Sequence, residues 1–431
     1  MSAMKVAFAT LGCKVNQDET VGIRQLFADA GYEIVDFKDL ADVYIVNTCT
    51  VTNLGSKKSR QLLRQARRRN PRGLVVAAGC YPQAAAGELA DMAEVDLIVG
   101  NSHKAELVEL VQSALADKER RIVVGDLDAF QDLPVAAGTS RHRATLKIQE
   151  GCQRYCTYCI VPKARGPLRS MPLDTVVERG KDLVRAGFRE IVLTGINLTS
   201  YGKEDPGLPD LADVINALAP AVGSARIRIS SVEPTDFSPR LIEAFRRHAN
   251  VCNDFHIPLQ SGSNPVLQRM GRCYSAEDFL ALTDQLKQLF PNPSFSTDVI
   301  VGFPGESEAD FEATKELIKR VGFSRLHVFR YSPRPGTPAA GFEEQIPPAV
   351  KAMRSNELIA LGQRLAENYA RTLLGGTERL LVEEPSPLVN GYAGYGDRYV
   401  RIHCTGELVP GQIVDVRITG NKDGELLAVQ V

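Results

Sequence analysis

ATLKIQEGCQRYCTYCIVPKARGPLR, residues 144–169, puts Cys152, Cys156 and Cys159 in one tight loop directly behind a short apolar run. The spacing is C-x3-C-x2-C. Three thiolates this close can hold three corners of a cubane iron–sulfur cluster, which is bound through cysteine sulfur. The fourth iron then has no protein ligand nearby and stays open to a small molecule. A structural zinc is the plainer alternative, but tetrahedral zinc wants four closed ligands, and no fourth Cys or His stands close in the sequence. A strand followed at once by a ligand loop is the context that favours the cluster.

Working outward, a strand–helix alternation recurs six times between residues 144 and 333. Strands are expected at 145–149, 190–194, 226–230, 254–258, 294–301 and 325–331, with helical stretches such as 175–186, 276–289 and 308–321 between them. Six βα units predict an open, partial (β/α)6 TIM-type barrel, whose working residues sit at the C-terminal strand ends. Those ends are polar. Thr194, Gly195 and Asn197 follow the second strand, and Ser230, Ser231 and Glu233 the third. His256, Gln260 and Ser261 follow the fourth, Gly302–Gly305 the fifth and Tyr331 the sixth. Each alone is ordinary turn chemistry; repeated on one face they predict a ligand cleft.

Ahead of this region, strands at 4–12, 32–37, 43–47, 74–78 and 96–99 alternate with helices at 19–30 and 56–69, which predicts a parallel α/β sandwich. Cys13, Cys49 and Cys80 each follow one of these strands, in LGCKVNQ, NTCTVT and AAGCYP. A lone cysteine there is usually a small buried hydrophobe; three at equivalent strand ends predict a second cluster site. Residues 57–72 carry eight basic and no acidic side chains. A solvated helix face is the common meaning of such a run, but on a chain of net charge −1 it also suits a phosphate backbone, with Arg60, Arg64 and Arg67 as candidate RNA contacts. Residues 99–143 read as a polar connector ending in a Pro-Val-Ala-Ala-Gly-Thr-Ser linker.

A Pro-rich connector, YSPRPGTPA, leads to one long helix from 348 to about 373. Short alternating segments beyond 378 then predict a small antiparallel β-barrel. Cys252, Cys273 and Cys404 have no partner pattern. Apolar content of 44% and charged content of 24% predict a globular protein. No apolar run is long enough to span a bilayer, so a cytoplasmic location without membrane contact is expected. Nine cysteines then read as ligands or free thiols rather than disulfides.

Taken together, these motifs resemble a methylthiotransferase of the radical S-adenosylmethionine (SAM) superfamily over essentially the whole chain. The resemblance implies an N-terminal unit at 1–135, a radical SAM partial barrel with connector helix at 136–372, and a TRAM-like barrel at 373–431. It implies two [4Fe–4S] clusters, one on Cys152, Cys156 and Cys159 with SAM on its open iron, the other on Cys13, Cys49 and Cys80. Tyr158 would lie near adenine, Gly195 and Asn197 near the methionyl part, and Ser231 and Glu233 near the ribose. Among the branches, LGCKVNQ, NTCTVT, ARGPLRS and HIPLQSGSN are most similar to the one that acts on N6-threonylcarbamoyladenosine at position 37 in the tRNA anticodon loop. An electron donor and a sulfur source are implied without being identified. The alternatives are a methylthiotransferase for isopentenyladenosine tRNA or for a ribosomal-protein aspartate, or a non-enzymatic RNA-binding Fe–S or zinc module. Asp18 and Glu150 depart from the family pattern, which has an aromatic and an Asp there. The last barrel, at 375–431, carries five Lys/Arg against eight Asp/Glu, a poor composition for binding a polyanion.

Overall fold

The computed structural model describes residues 3–134 and 142–431. All but the first residue of the Pro-Val-Ala-Ala-Gly-Thr-Ser linker lies outside the described residues. In the N-terminal part, strands β1 (Lys5–Thr10), β2 (Glu33–Val35), β3 (Val43–Thr48), β4 (Leu74–Gly79), β5 (Leu97–Val99) and β6 (Arg121–Val123) form one parallel sheet in the order β2-β1-β3-β4-β5-β6. Helices α1 (Lys14–Asp29), α2 (Asn53–Arg69), α3 (Cys80–Ala90) and α4 (Leu107–Asp117) cover its faces. Every residue of β3 and β4 is buried, as expected where helices cover both sides of a parallel sheet. The presumed connector therefore contributes α4 and β6. Leu107, Val111 and Ala114 form the buried stripe of α4, whereas β6 has only three residues, too few to show a period. Helix α1 also starts earlier than expected, directly after Cys13.

The central part contains β7 (Arg143–Glu150), β8 (Arg169–Ser170), β9 (Glu190–Gly195), β10 (Arg226–Ile229), β11 (Asp254–His256), β12 (Ser294–Val301) and β13 (Arg325–Arg330). The helices are α5 (Val161–Arg165), α6 (Leu173–Arg185), α7 (Leu211–Ala221), α8 (Pro239–Arg247), α9 (Asn264–Met270), α10 (Ala276–Leu289), α11 (Glu308–Val321) and the long α12 (Pro348–Thr372). Capping boxes led by Asp210, Ser275 and Ser307 fix the starts of α7, α10 and α11, each satisfying two otherwise orphaned donors. Six of the strands are the expected parallel staves. They divide into β7-β9-β10, with β8 as an antiparallel flap on β7, and β11-β12-β13. Between β10 and β11 the hydrogen-bonded ladder shrinks to a bridge at Ile227 and Val251.

The C-terminal strands β14 (Thr377–Pro385), β15 (Gly391–Tyr395), β16 (Arg401–Thr405), β17 (Ile413–Lys422) and β18 (Glu425–Gln430) close a barrel in the order β14-β15-β16-β18-β17. Its pairings are antiparallel except β16 with β18, which run parallel. Strand β15 hides in GYAGY because its glycines are needed for contact. A Cβ at Gly394 would stand 1.8 Å from the Leu381 carbonyl oxygen.

The loop between β15 and β16 sits under the central barrel. The buried Arg228 guanidinium donates to the carbonyls of Gly396 (3.0 Å) and Asp397 (2.9 Å), and Arg226 to that of Tyr395 (3.1 Å). Tyr395 and Tyr399 stack at 4.8 Å, with Arg143 over both rings. The small barrel is thus the floor of the large one. Among the described residues, no helix is long and apolar enough to cross a membrane.

Candidate active site

Cys13, Cys49 and Cys80 follow β1, β3 and β4, which are adjacent in the sheet, so the topology brings them to one edge. The strand order reverses between β1 and β3, and such switch points are where doubly wound sheets open a ligand crevice. Cys13 caps α1 and Cys80 opens α3; aligned peptide dipoles at a helix N-terminus favour an anionic sulfur. Gly12 turns the chain at φ +103° and packs so closely that a Cβ there would lie 3.1 Å from the Cys49 sulfur. Cys13 is accessible and Cys80 buried. Lost hydration pushes the half-buried Cys49 thiol up to about 11.

Beside Cys80 lies a buried ionic cluster that sequence reasoning missed. The Arg165 guanidinium donates to the Cys80 sulfur (3.2 Å), to Glu19 (2.5 and 2.9 Å) and to Asn16 (2.5 Å). Glu19 also pairs with Lys104 and with Lys147 (3.3 Å). Lys147 and Arg169 share Glu150. All six charged groups are buried, and the set holds two more cations than carboxylates. Asp18, the next carboxylate on α1, offsets only part of this: burial pushes it up to about 7 against the pull of Lys147 and Thr145. Buried charge left uncompensated is costly. An anionic, thiolate-ligated cluster beside Cys80 supplies the missing negative charge, and on that ground these residues fit it.

The second triad, Cys152, Cys156 and Cys159, occupies the rim above β7. Gly151, at φ +76°, lets the loop pass under residue 167, and the Cys152 amide donates to the Gly166 carbonyl (3.1 Å). Burial raises Cys152 and takes Cys159 up to about 12. Arg272 plays the part here that Arg165 plays at Cys80: it donates to the Cys156 sulfur (3.3 Å) and pairs with Glu233. Tyr158 is half-buried against Phe303, edge to face at 6.4 Å. Gln149 accepts the Asn197 amide (2.8 Å) and lies against Gly195, where a Cβ would meet it at 3.0 Å. The Asn197 side chain reaches Ser200 (2.7 Å) and stands 4.0 Å from the Cys152 sulfur. Ser231 is half-buried at the end of β10, two residues from Glu233. Tyr158, Gly195, Asn197, Ser231 and Glu233 therefore share the rim that carries the thiols.

The segment that follows the second triad reaches the first. Ile160 and Ala164, next to the second triad, form one apolar cluster with Cys80 and Ala84. Elsewhere the NTCTVT loop is clamped to the end of β13, where Arg334 donates to Asn53 and Thr50 (both 2.6 Å). Among the described residues no three Cys, His, Asp or Glu side chains converge on a single ion; a cubane holds its ligand sulfurs farther apart than one ion does.

The basic helix reads differently in three dimensions. Arg67 is tied to Asp96 (2.5 Å) and to three backbone carbonyls, Arg64 faces Glu94 (3.4 Å), and Arg60 donates to Tyr81 and faces Glu88 (3.8 Å). Arg60 and Arg67 are partly buried where α2 packs on its own unit, whereas Arg64 stays exposed. Lys57, Lys58, Arg64 and Arg68 are the exposed cations of this helix.

Residues 146–318 match the radical SAM superfamily, and residues 5–100 match the uncharacterized protein family UPF0004. A threonylcarbamoyladenosine tRNA methylthiotransferase, MtaB, of Bacillus subtilis is 44% identical over 96% of this chain and 93% of its own length. The chain belongs to the radical SAM methylthiotransferase family. The MtaB of Aquifex aeolicus is 40% identical over 96% of this chain and all of its own. The same organism's tRNA-2-methylthio-N(6)-dimethylallyladenosine synthase is 36% identical over 88% of each. The fold also resembles the radical SAM methyltransferase TsrM of Kitasatospora setae (TM-score 0.59, 14% identity, 79% of this chain and 77% of that one). As a radical SAM methylthiotransferase, the protein is a transferase that uses SAM and a [4Fe–4S] cluster.

Proposed function

We propose that this methylthiotransferase converts N6-threonylcarbamoyladenosine at position 37 of tRNA to its 2-methylthio derivative. The SAM cluster is held by Cys152, Cys156 and Cys159, and a second [4Fe–4S] cluster by Cys13, Cys49 and Cys80. The observation that carries this reading is the buried excess of positive charge beside Cys80, which suits a second anionic cluster. When bound, the clusters and SAM supply the radical chemistry that an unactivated aromatic C–H requires and side-chain acids and bases cannot provide.

The chain's own residues do the positioning. Gln149 fixes Asn197 on the rim, and Arg272 holds Glu233 beside Cys156. Tyr158, packed against Phe303 on the same rim, would lie beside the SAM adenine. The loop at 395–399 closes the base of the lumen beneath Arg226 and Arg228, and Arg334 ties the NTCTVT loop to the barrel, so that the adenine can be held in one orientation. Single-stranded anticodon-loop bases are the kind that RNA-binding proteins splay out and read. The substrate places the working enzyme in the cytoplasm.

The test is mass spectrometry of nucleosides from tRNA carrying threonylcarbamoyladenosine, after anaerobic incubation with reconstituted enzyme, reductant, sulfide and SAM. The 2-methylthio product is expected. A product only on dimethylallyladenosine tRNA would move the enzyme to the sister branch. Replacing Cys80 by Ala should leave SAM cleavage intact and abolish thiolation.

A further inference from the structure

The lumen contains more positive charge than it pairs. The strand register puts Thr145 of β7 beside Val192 of β9, Arg228 of β10 beside the same Val192, and Arg325 of β13 beside Ser296 of β12. Lys14, the first residue of α1, reaches in from the open side of the partial barrel. It lies within the fields of Asp254, Arg228, Arg325 and Arg143, and with Arg143, Arg228 and Tyr399 it lines a cavity of about 1360 Å3.

The partners of these cations can be assigned. Arg143 pairs with Glu383 (2.7 Å), Arg226 with Asp397 (3.1 Å), and Arg228 with Glu190 (3.0 Å) and Asp254 (3.1 Å). Asp298 is engaged by His256 (3.4 Å), and Asp18 faces Lys147 and Thr145. Among the described residues, no carboxylate comes within ion-pair distance of Lys14 or Arg325. Arg325 is nonetheless held firmly: its guanidinium stacks 4.8 Å from the Tyr399 ring centroid and donates to the Tyr399 carbonyl (3.3 Å). Among the described residues its other donors have no hydrogen-bond partner. A preorganised cation with unused donors is a design for receiving an anion.

We propose that Lys14 and Arg325 form a subsite for the carboxylate of the substrate's threonylcarbamoyl group. This rests on the threonylcarbamoyladenosine reading above and adds the residues that enforce it. Lys14 is the neighbour of Cys13, so the subsite adjoins the second cluster. The threonyl carboxylate hangs from N6, on the same six-membered ring as C2, so a cation near Cys13 is placed to hold one while the other is presented. The dimethylallyl group of the sister substrate is apolar and would leave both cations without an anionic partner, which favours the carboxylate-bearing substrate over it.

The experiment uses anticodon stem-loops carrying threonylcarbamoyladenosine either as the free carboxylate or as its methyl ester. Binding to the full-length, cluster-loaded protein is followed by fluorescence anisotropy, and turnover is measured in parallel. The native protein should prefer the carboxylate form by roughly tenfold or more. Lys14→Met and Arg325→Gln should each bring that ratio close to one, chiefly by raising KM, while Arg325→Lys retains a preference. Iron content and melting temperature show that the variants are folded and loaded. An unchanged ratio in both neutral variants, or no preference in the native protein while it still methylthiolates threonylcarbamoyladenosine, overturns the subsite. Methylthiolation of dimethylallyladenosine alone would instead overturn the functional reading on which it rests.

Discussion

Replacing Arg165 by Met should destabilise the cluster-loaded protein far more than the cluster-free one. The guanidinium donates to Glu19, Asn16 and the Cys80 sulfur from a fully buried position. Removing one member of a buried ion network ordinarily costs about 3–5 kcal/mol, because its partners stay behind in low dielectric. Here the balance depends on occupancy. Without the second cluster, the pocket has two surplus cations, so losing one relieves repulsion and offsets part of the broken pair with Glu19. With the cluster bound, the same substitution strips a counter-charge and a hydrogen bond from an anion, and the full cost is felt. The difference between the two states should reach about 2 kcal/mol or more, equivalent to a weakening of cluster retention of roughly 30-fold. The assay is chemical denaturation of both forms under anaerobic conditions, with iron counting after gel filtration. Iron should fall from roughly eight toward four per chain, with SAM cleavage preserved. Equal destabilisation of both forms with full iron retained would refute the charge argument.

Gly151→Ala would drive a Cβ to 1.6 Å from the Pro167 carbonyl oxygen at a positive φ. It should cost about 2–4 kcal/mol and selectively lose the SAM cluster, visible as lost SAM cleavage with the second cluster retained. Glu190 is fully buried; burial alone would raise its pKa, but Arg228 and then Arg226 hold it at about 2, below its ordinary value of 4.5. Its contribution, about 3 kcal/mol, is complete above pH 4.5 and lost as pH falls through 2. Urea unfolding of the cluster-free chain should therefore lose about 2 kcal/mol more between pH 5 and pH 3 in the native protein than in Glu190→Gln. Lys58→Glu should weaken tRNA binding several-fold at low salt, whereas Arg67→Gln should lower stability and leave tRNA affinity alone; filter binding and thermal melts separate the two.

The strands and the six cysteines were legible because each rests on a local pattern: an apolar run, then a sulfur at its end. Adjacency of β1, β3 and β4 is a property of sheet order, yet the repeated strand-end position announced it. The buried ionic cluster was invisible for the opposite reason. Glu19, Lys104, Lys147 and Arg165 are spread over more than a hundred residues, and each looks like an ordinary surface charge until the N-terminal sheet is laid against the barrel. The run likewise shows only half of the basic helix's surroundings: the acids that face Arg60, Arg64 and Arg67 lie beyond it, at Glu88, Glu94 and Asp96. Strand β15, GYAGY, carries no such pattern, since glycine signals a turn more often than a crowded strand.

The floor of the lumen also imposes an order on biosynthesis. Residues 395–399 belong to a barrel that closes only when β17 and β18, ending at Gln430, have been added. While those strands are still inside the ribosome, the buried arginines at 226 and 228 have nothing beneath them, and the chamber stands open to water at its base. A nascent chain can thus gather all six cysteines before β18 has joined the barrel. A chain cut short before residue 395 would carry its cysteine triads with no loop beneath Arg226 and Arg228.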